Sequence, residues 1–411
     1  MGLNYIDLFA GAGGLSEGFI RAGFKPIAHV EMNKDACDTL KTRSVYHYLL
    51  ANNRISDYQK YLKGEITRNE YWSLVPDNVI EPIINKEISN HTLDSIFQII
   101  DSRLINEKVD VVIGGPPCQA YSVAGRARDP KGMLDDPRNH LYKYYVEFLK
   151  RYKPKMFVFE NVPGILSANN GGYLNLIFES VREAGYELEF KILNSKNFNV
   201  LQDRKRVIII GWEKSMKLSY PDFIENEVQF KVLKDLFSDL PKLKNGQGVF
   251  GLTNYSSEAT DYLKLSNIRT DNNFTTQHIS RPNNPNDLEI YQIAVKKWIN
   301  DKKRLNYAEL PTRLIRHSNT SSFTNRFQVV NHDGLAHTVV AHIAMDGHYY
   351  IHPDLVQNRS ISVREAARIQ SFPDDYHFES SRTAAFKQIG NAVPVLMAEG
   401  IANKIKELLN E

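Results

Sequence analysis

Cysteine is scarce: 411 residues contain two, Cys37 and Cys118, so neither a disulfide scaffold nor a cysteine-rich zinc module can be built. No stretch approaches the roughly 18 uninterrupted apolar residues a membrane span needs, and Asp7 and Glu17 interrupt the start where a secretory leader wants a clean apolar run. The expectation is a cytoplasmic protein with no membrane partner. An excess of one charge is missing too. Lys and Arg number 51 against 48 Asp and Glu, a formal charge of +3, so a nucleic-acid partner must be met by local basic clusters. Internal repeats and low-complexity tracts are absent. What is there is 42% hydrophobic, 24% charged and 11% aromatic, a composition for packed cores and a length for two or three domains.

The run Leu3 to Phe9 breaks at Gly11, Gly13 and Gly14 and resumes as Leu15, Phe19 and Ile20 at helical spacing, which reads as strand, glycine turn, helix. Further apolar strands are expected at Pro26 to Val30, Val109 to Ile113, Met156 to Phe159 and Val207 to Gly211. Strands alternating with helices indicate a parallel α/β sheet covered on both faces. Lys41 to Ile84 is longer than a βα connection needs and reads as an insertion with some helix of its own. From Trp212 to His352 the chain turns polar, with alternating pieces at Ala336 to Ala341 and His348 to His352, and is expected to form a separate, irregular, strand-containing domain. Ser362 to Glu365 has capping-box spacing before a helix over Val363 to Gln370, and a last helix begins near Pro394. The predicted division is 1–211, 212–355 and 356–411.

Three motifs point to chemistry. In DLFAGAGG, residues 7–14, glycines let backbone approach a ligand at the carboxyl end of the first strand, and Glu31 stands at the end of the second, where a carboxylate can accept from both ribose hydroxyls. That pair suggests a nucleoside cofactor, although Ser16 replaces the last glycine of the dinucleotide fingerprint and a plain helix-packing turn remains open. In GGPPCQAYS, residues 114–122, two glycines and two prolines make a rigid turn that exposes Cys118, and QDRKR, residues 202–206, offers cations that favour its thiolate. Cys37, beside Ala36 and Leu40 in a helical pattern, reads as a small buried hydrophobe. In FVFENVPG, residues 157–164, Glu160 would emerge beside Cys118 if their strands are adjacent, and could donate a proton there; a solvated turn residue is the alternative.

With REAARIQSFP at 364–373 and QIGNAVP at 388–394, these blocks have the order and approximate spacing of the DNA (cytosine-5) methyltransferases, which the sequence closely resembles outside 41–84 and 212–352. The resemblance implies a Rossmann-like S-adenosylmethionine-dependent sheet with helices on both faces and a smaller, irregular target recognition domain. It implies that Cys118 adds to C6 of a cytosine, that Glu160 hydrogen-bonds and protonates N3, and that Arg204 and Arg206 hold the flipped base and its phosphate, Arg206 at O2. For S-adenosyl-L-methionine, with S-adenosyl-L-homocysteine as product, it implies a pocket from Phe9, Gly11, Gly13 and Gly14, with Glu31 on the ribose. Met32, Pro117, Leu141, Asn391 and Ala392 are assigned to the same pocket, and the adenine-contacting acid is expected at Glu87, with Asp94 as the fallback.

Residues 121–139 resemble the loop that closes over DNA, with Ser122 and Arg138 as DNA contacts. Arg313, Arg316, Asn325 and Arg326 are candidates in the recognition domain. His332, His337, His342, His348 and His352 are expected as surface or phosphate-contacting histidines rather than metal ligands. The capped helix over Val363 to Gln370 is expected to be structural, with Arg364 and Arg368 locking it to the catalytic domain. The implied partner is double-stranded DNA, with a separately encoded restriction endonuclease as a further candidate and a monomeric state expected. Methylation of transfer RNA, an inactive DNA-binding relative and a nicotinamide dehydrogenase are the competing readings, in that order.

Overall fold

The computed structural model describes residues 2–104, 107–117, 140–224, 229–270, 272 and 274–410. Its first half runs β1 (Asn4–Leu8), α1 (Gly14–Arg21), β2 (Lys25–Glu31), α2 (Lys34–Ala51), α3 (Ile55–Leu62), α4 (Arg68–Trp72), β3 (Ile83–Asn85), α5 (Leu93–Asp101), β4 (Val111–Gly114), α6 (Leu141–Tyr152), β5 (Met156–Asn161), α7 (Gly172–Glu183), β6 (Tyr186–Asn194), β7 (Gln202–Asp203) and β8 (Lys205–Glu213). Seven of these strands form one sheet in the order β3-β2-β1-β4-β5-β8-β6. The chain steps outward from β1 to β3 and returns at β4, which puts a topological switch point between β1 and β4, where an open α/β sheet takes its ligand.

Alternate residues of each inner strand enter opposite cores, as a period of two requires. Ile6, Val112, Phe157 and Ile209 pack under α5, α6 and α7. Tyr5, Val111, Val158 and Ile208 pack under α1 and the last helix. The expectation of a parallel sheet needs correction at one edge: β8 pairs antiparallel with both β5 and β6. Only residues 195–204 separate β6 from β8, too few for the crossover a parallel pair demands. β6 itself escapes an apolar-run search because Glu187, Glu189 and Lys191 alternate along it on the exposed side of an edge strand. Within the insertion lie α3, α4 and the end of α2, which runs straight through the expected start at Lys41, while the expected end at Ile84 falls inside β3. Among the described residues, no helix is long and apolar enough to cross a membrane.

The second half runs β9 (Leu252–Thr253), α8 (Asp261–Leu265), β10 (Thr275–Thr276), α9 (Pro285–Asp301), β11 (Ala336–His337), α10 (Val363–Ile369), α11 (Arg382–Asn391) and α12 (Val395–Asn410). Its strands are shorter than the alternating sequence suggests. Ala336 to Ala341 yields a two-residue strand, and in His348 to His352 only Ile351 forms isolated bridges, to Val329 and Ser360. The unforeseen 17-residue α9 has a legible start: the Asn284 side chain accepts from the Asp287 N–H, and Pro285 opens the helix.

The capping box of α10 is as expected, Ser362 and Glu365 bonding each other's backbone. Its arginines, however, anchor it elsewhere than expected. Arg364 donates to Thr276, Pro373 and Tyr376, and Arg368 pairs with Asp239 and Asp374. Both bind the 236–276 region instead of the seven-stranded sheet, and one core runs from Val232 through Val339 to Val395. At the other end of this segment α12 lies along α1, so closely that a Cβ on Gly18 would meet Ala398 Cβ at 2.4 Å.

Gly18→Ala is expected to destabilise the protein by about 1–3 kcal/mol, read as a lower urea midpoint; an unchanged midpoint would show that α12 shifts freely. Acid sensitivity has a separate source. Burial depresses His337 to about 4, and His352 and His377 to about 3. Unfolding returns each to the ordinary value of about 6.5, so the unfolded chain binds more protons between these values. Stability from these groups is present above pH 6.5 and lost as pH falls towards 4 and then 3. The urea midpoint should be lower at pH 5 than at pH 7, and an equal or higher midpoint at pH 5 would contradict this origin.

Candidate active site

The glycine turn follows β1 with Phe9, Gly11 and Gly13 all at positive φ, 57°, 55° and 80°. Its three glycines serve different needs. A Cβ on Gly13 would lie 2.7 Å from the Leu40 side chain, and one on Gly14 would lie 2.4 Å from the Val393 carbonyl oxygen. These two are required by packing. A Cβ on Gly11 would meet nothing within 4 Å, so this position is glycine for its left-handed backbone alone, and its open side is available to a ligand.

The Gly11 N–H donates to Glu31 Oε2 at 2.9 Å and the Asn33 N–H to Oε1 at 2.7 Å. Burial pushes the Glu31 carboxyl above the usual range, against the pull of those two amides. The carboxylate is thus held at the switch point with one amide on each oxygen, leaving further lone pairs for hydroxyl donors. Next to it Met32 is 62% exposed, an apolar surface at the strand end suited to a flat ring. Cys37 is buried beneath, its thiol donating to the Glu31 carbonyl at 3.3 Å and pushed up to about 12 by burial. It is an inert packing residue, as its helical pattern suggests.

A nucleoside ligand fits this cradle. Asn85, which is not among the residues expected from sequence, donates from the end of β3 to the carbonyls of Glu31 and Met32, at 3.1 and 3.0 Å. The available signal was an amide at the end of the third strand. Glu87 is exposed two residues beyond that strand, and Asp94 is exposed in the first turn of α5. Leu141 opens α6, half-buried, and Pro117 is half-buried after β4. Asn391 is the exposed last residue of α11 instead of a turn residue, whereas Ala392 is buried against Gly14.

β4 and β5 are adjacent and parallel, with Gly114 opposite Phe159, so Glu160 does emerge beside the Gly-Pro-Pro turn. Cys118, Ser122, Arg138 and the 121–139 loop lie outside the described residues. Glu160 Oε1 pairs with Arg206 Nε at 2.7 Å, the two side chains 14% and 10% exposed. A Cβ on Gly115 would meet Glu160 Oε2 at 2.6 Å. The carboxylate is therefore gripped between a cation and backbone, and Asn161 steadies the turn by donating to the Pro116 carbonyl at 3.3 Å.

Arg204 is placed differently from its partner. It is 1% exposed, and its guanidinium donates to the carbonyls of Val339, Gly390 and Ala392. That clasp draws the segment around Val339 and the 390–392 segment onto the strand that carries Arg206. The other candidates are also engaged. Arg313 pairs with Glu289, Asn325 accepts from the Tyr349 hydroxyl, and Arg326 stacks over Tyr307 at 4.1 Å. Arg316 is exposed. The histidines disperse: His352 is buried against Phe237 and Glu365 instead of lying at the surface, His337 and His348 are half-buried against Tyr350 and Tyr291, and His342 is exposed.

Sequence comparison matches residues 3–67 and 80–407 to the family model described as C-5 cytosine-specific DNA methylase. A Type II methyltransferase of Bacillus paralicheniformis, M.Bpa9945I, is 41% identical over 98% of this chain and 99% of its own. The Type II methyltransferase M1.HphI of Haemophilus parahaemolyticus is 31% identical over 99% of this chain and 88% of its own. The same fold is found in a putative DNA modification methyltransferase encoded within an E. coli prophage, at a TM-score of 0.65 and 24% identity with both chains fully covered.

The glycine turn is buttressed by Tyr376, whose hydroxyl donates to the Ala12 carbonyl. Tyr376→Phe leaves that buried carbonyl unpaired, so a loss of about 1–3 kcal/mol in stability is expected, with weaker binding of S-adenosylhomocysteine in titration calorimetry. Unchanged affinity would mean the turn keeps its shape without the hydroxyl.

Proposed function

The chain belongs to the C-5 cytosine-specific DNA methylase family, and we propose that it transfers a methyl group from S-adenosylmethionine to C5 of a flipped-out cytosine in duplex DNA through a covalent Cys118 adduct. The observation that carries this reading is the Glu160–Arg206 pair held against Gly115, three residues before Cys118 and at the same sheet edge as the Gly11–Glu31 cradle. Flipping is required because C5 and C6 of a stacked, paired cytosine cannot be reached by a nucleophile and a methyl donor on opposite ring faces.

S-adenosylmethionine, when bound, supplies a methyl group on a sulfonium that leaves as a neutral thioether. Glu31, oriented by the amides of Gly11 and Asn33, receives the ribose hydroxyls. Cys118 Sγ bonds to C6 while Glu160 protonates N3, so the electron pair reaching the ring is held at C5 and not as charge on the heterocycle. Arg206 hydrogen-bonds the base at O2 and keeps the Glu160 carboxyl aimed. After C5 takes the methyl group its proton is lost to solvent, the C5–C6 double bond re-forms, Sγ departs as thiolate and the N3 proton returns to Glu160. Arg204 acts as a positioning residue through the backbone it clasps. In this reading residues 1–211 catalyse, 212–355 recognise the target and 356–411 return to the catalytic part, and a separately encoded restriction endonuclease is the candidate partner.

The test incubates the protein with methyl-labelled S-adenosylmethionine and unmethylated genomic DNA, with transfer RNA in parallel, and identifies the labelled nucleoside. Label is expected in 5-methyldeoxycytidine; label only in RNA overturns the DNA assignment. Cys118→Ser is expected to abolish transfer with cofactor binding retained, and Glu160→Gln to lower kcat on the order of 10²–10⁴-fold with DNA affinity little changed. Turnover by Cys118→Ser would refute the covalent route.

A further inference from the structure

Phe323 combines two properties that packing does not explain. It is 73% exposed, and its φ of 55° lies in the left-handed region that bulky side chains avoid. Strain of this kind persists only where the surroundings over-determine it, and here they do. Arg326 donates from Nε to the Phe323 carbonyl at 3.1 Å and from Nη2 to the Asn319 carbonyl at 3.0 Å. The Asn319 side chain accepts from the Ser321 and Ser322 N–H groups at 3.1 and 3.0 Å. Buried Tyr307 anchors the loop from below. Its ring carries the Arg326 guanidinium, its N–H donates to the Thr324 carbonyl at 2.7 Å, and its hydroxyl accepts from the Arg316 and His317 amides. A short polar loop is thus stapled so as to hold one aromatic ring out in solvent.

The loop is coupled to the active site through a continuous set of contacts. Asn325 bonds Tyr349, the Tyr349 carbonyl meets His337 Nε2 at 2.6 Å, and β11 pairs with β7 immediately before Arg204. Its charge has one sign: from 310 to 332 the sequence holds three arginines and no acidic residue. Of those arginines, Arg316 makes no ion pair among the described residues. A single ring among hydroxyl, amide and cationic groups is a poor protein-docking patch, which needs contiguous apolar area, and a good match to a base stack beside phosphates.

We propose that Phe323 stacks on or wedges against a base of the bound duplex, mounted on the 319–326 loop, with Arg316 at the adjacent phosphate. This rests on the DNA methyltransferase reading and assigns one contact within it. The decisive variant is Phe323→Asn, because asparagine tolerates the left-handed backbone and removes only the ring. Affinity for end-labelled, sheared genomic DNA is measured by fluorescence anisotropy, and methylated positions are mapped by bisulfite sequencing.

Phe323→Asn is expected to unfold at or above the wild-type temperature yet bind DNA roughly tenfold or more weakly, with Phe323→Trp restoring affinity. Arg316→Ala is expected to reduce the salt dependence of binding. Affinity and mapped sites within twofold of wild type in Phe323→Asn would overturn the proposal, as would failure of the tryptophan variant to restore binding. Wild-type protein that binds DNA without methylating it would refute the catalytic reading while the binding comparison still decides the role of Phe323; wild type that does not bind duplex DNA would end both.

Discussion

A buried guanidinium must satisfy its donors from the protein, since an unpaired charge in the interior is costly. Arg204 places both Nη groups on backbone carbonyls from Val339, Gly390 and Ala392, and this clasp joins distant parts of the chain. Three stretches far apart in sequence are forced together at the end of β8. Gln202 and Gln370 extend the same logic: their amides bond each other and the carbonyls of Ile369, Ile389 and Ala392. Once that junction is made, Arg206 is delivered to Glu160 two residues later, and Ala392–Val393 closes against Gly14.

A second buried polar network does comparable work for the insertion. Arg43 of α2 reaches Glu17 of α1 and Asp375, while Tyr46 and Tyr58 also bond Asp375 and Tyr61 bonds Glu379. Burial alone would raise the Glu17 carboxyl, but the Arg43 guanidinium and His47 outweigh it and hold the group well below the usual carboxylate range. Through these bonds the helical insertion braces the 374–379 segment. That segment carries Tyr376, and Tyr376 holds the glycine turn. Removing one partner of such a network leaves a buried charge uncompensated, which is more damaging than never having built it.

The groups assigned to the proposed reaction need little flexibility from the described parts of the site. Gly11 is open, Glu31 is fixed by two amides, and Glu160 is confined by Gly115 and Arg206. Such preorganisation aligns dipoles before the substrate arrives. It also separates glycines that the bare motif makes look alike, because Gly13 and Gly14 are packed against Leu40, Tyr376 and Val393, whereas Gly11 borders open space.

The sequence by itself determined the local grammar: strand-turn-helix at DLFAGAGG, the adjacency of Glu160 to the Pro-Pro turn, the capping box at Ser362, and a family pattern carried by short blocks. Each depends on neighbours in the chain or on strand order in a sheet, so periodicity and turn chemistry suffice. Only the tertiary structure decided the antiparallel direction of β8, the burial of Arg204 apart from Arg206, the anchoring of Arg364 and Arg368 in the second core, and the use of Arg326 as a staple beneath Phe323. Those outcomes turn on which distant carbonyl or carboxylate meets a given side chain, and an arginine reads the same in sequence whether it faces a base, a buried carbonyl or its own loop. Burial and partner are properties of the assembled fold, and they set the role of each charge.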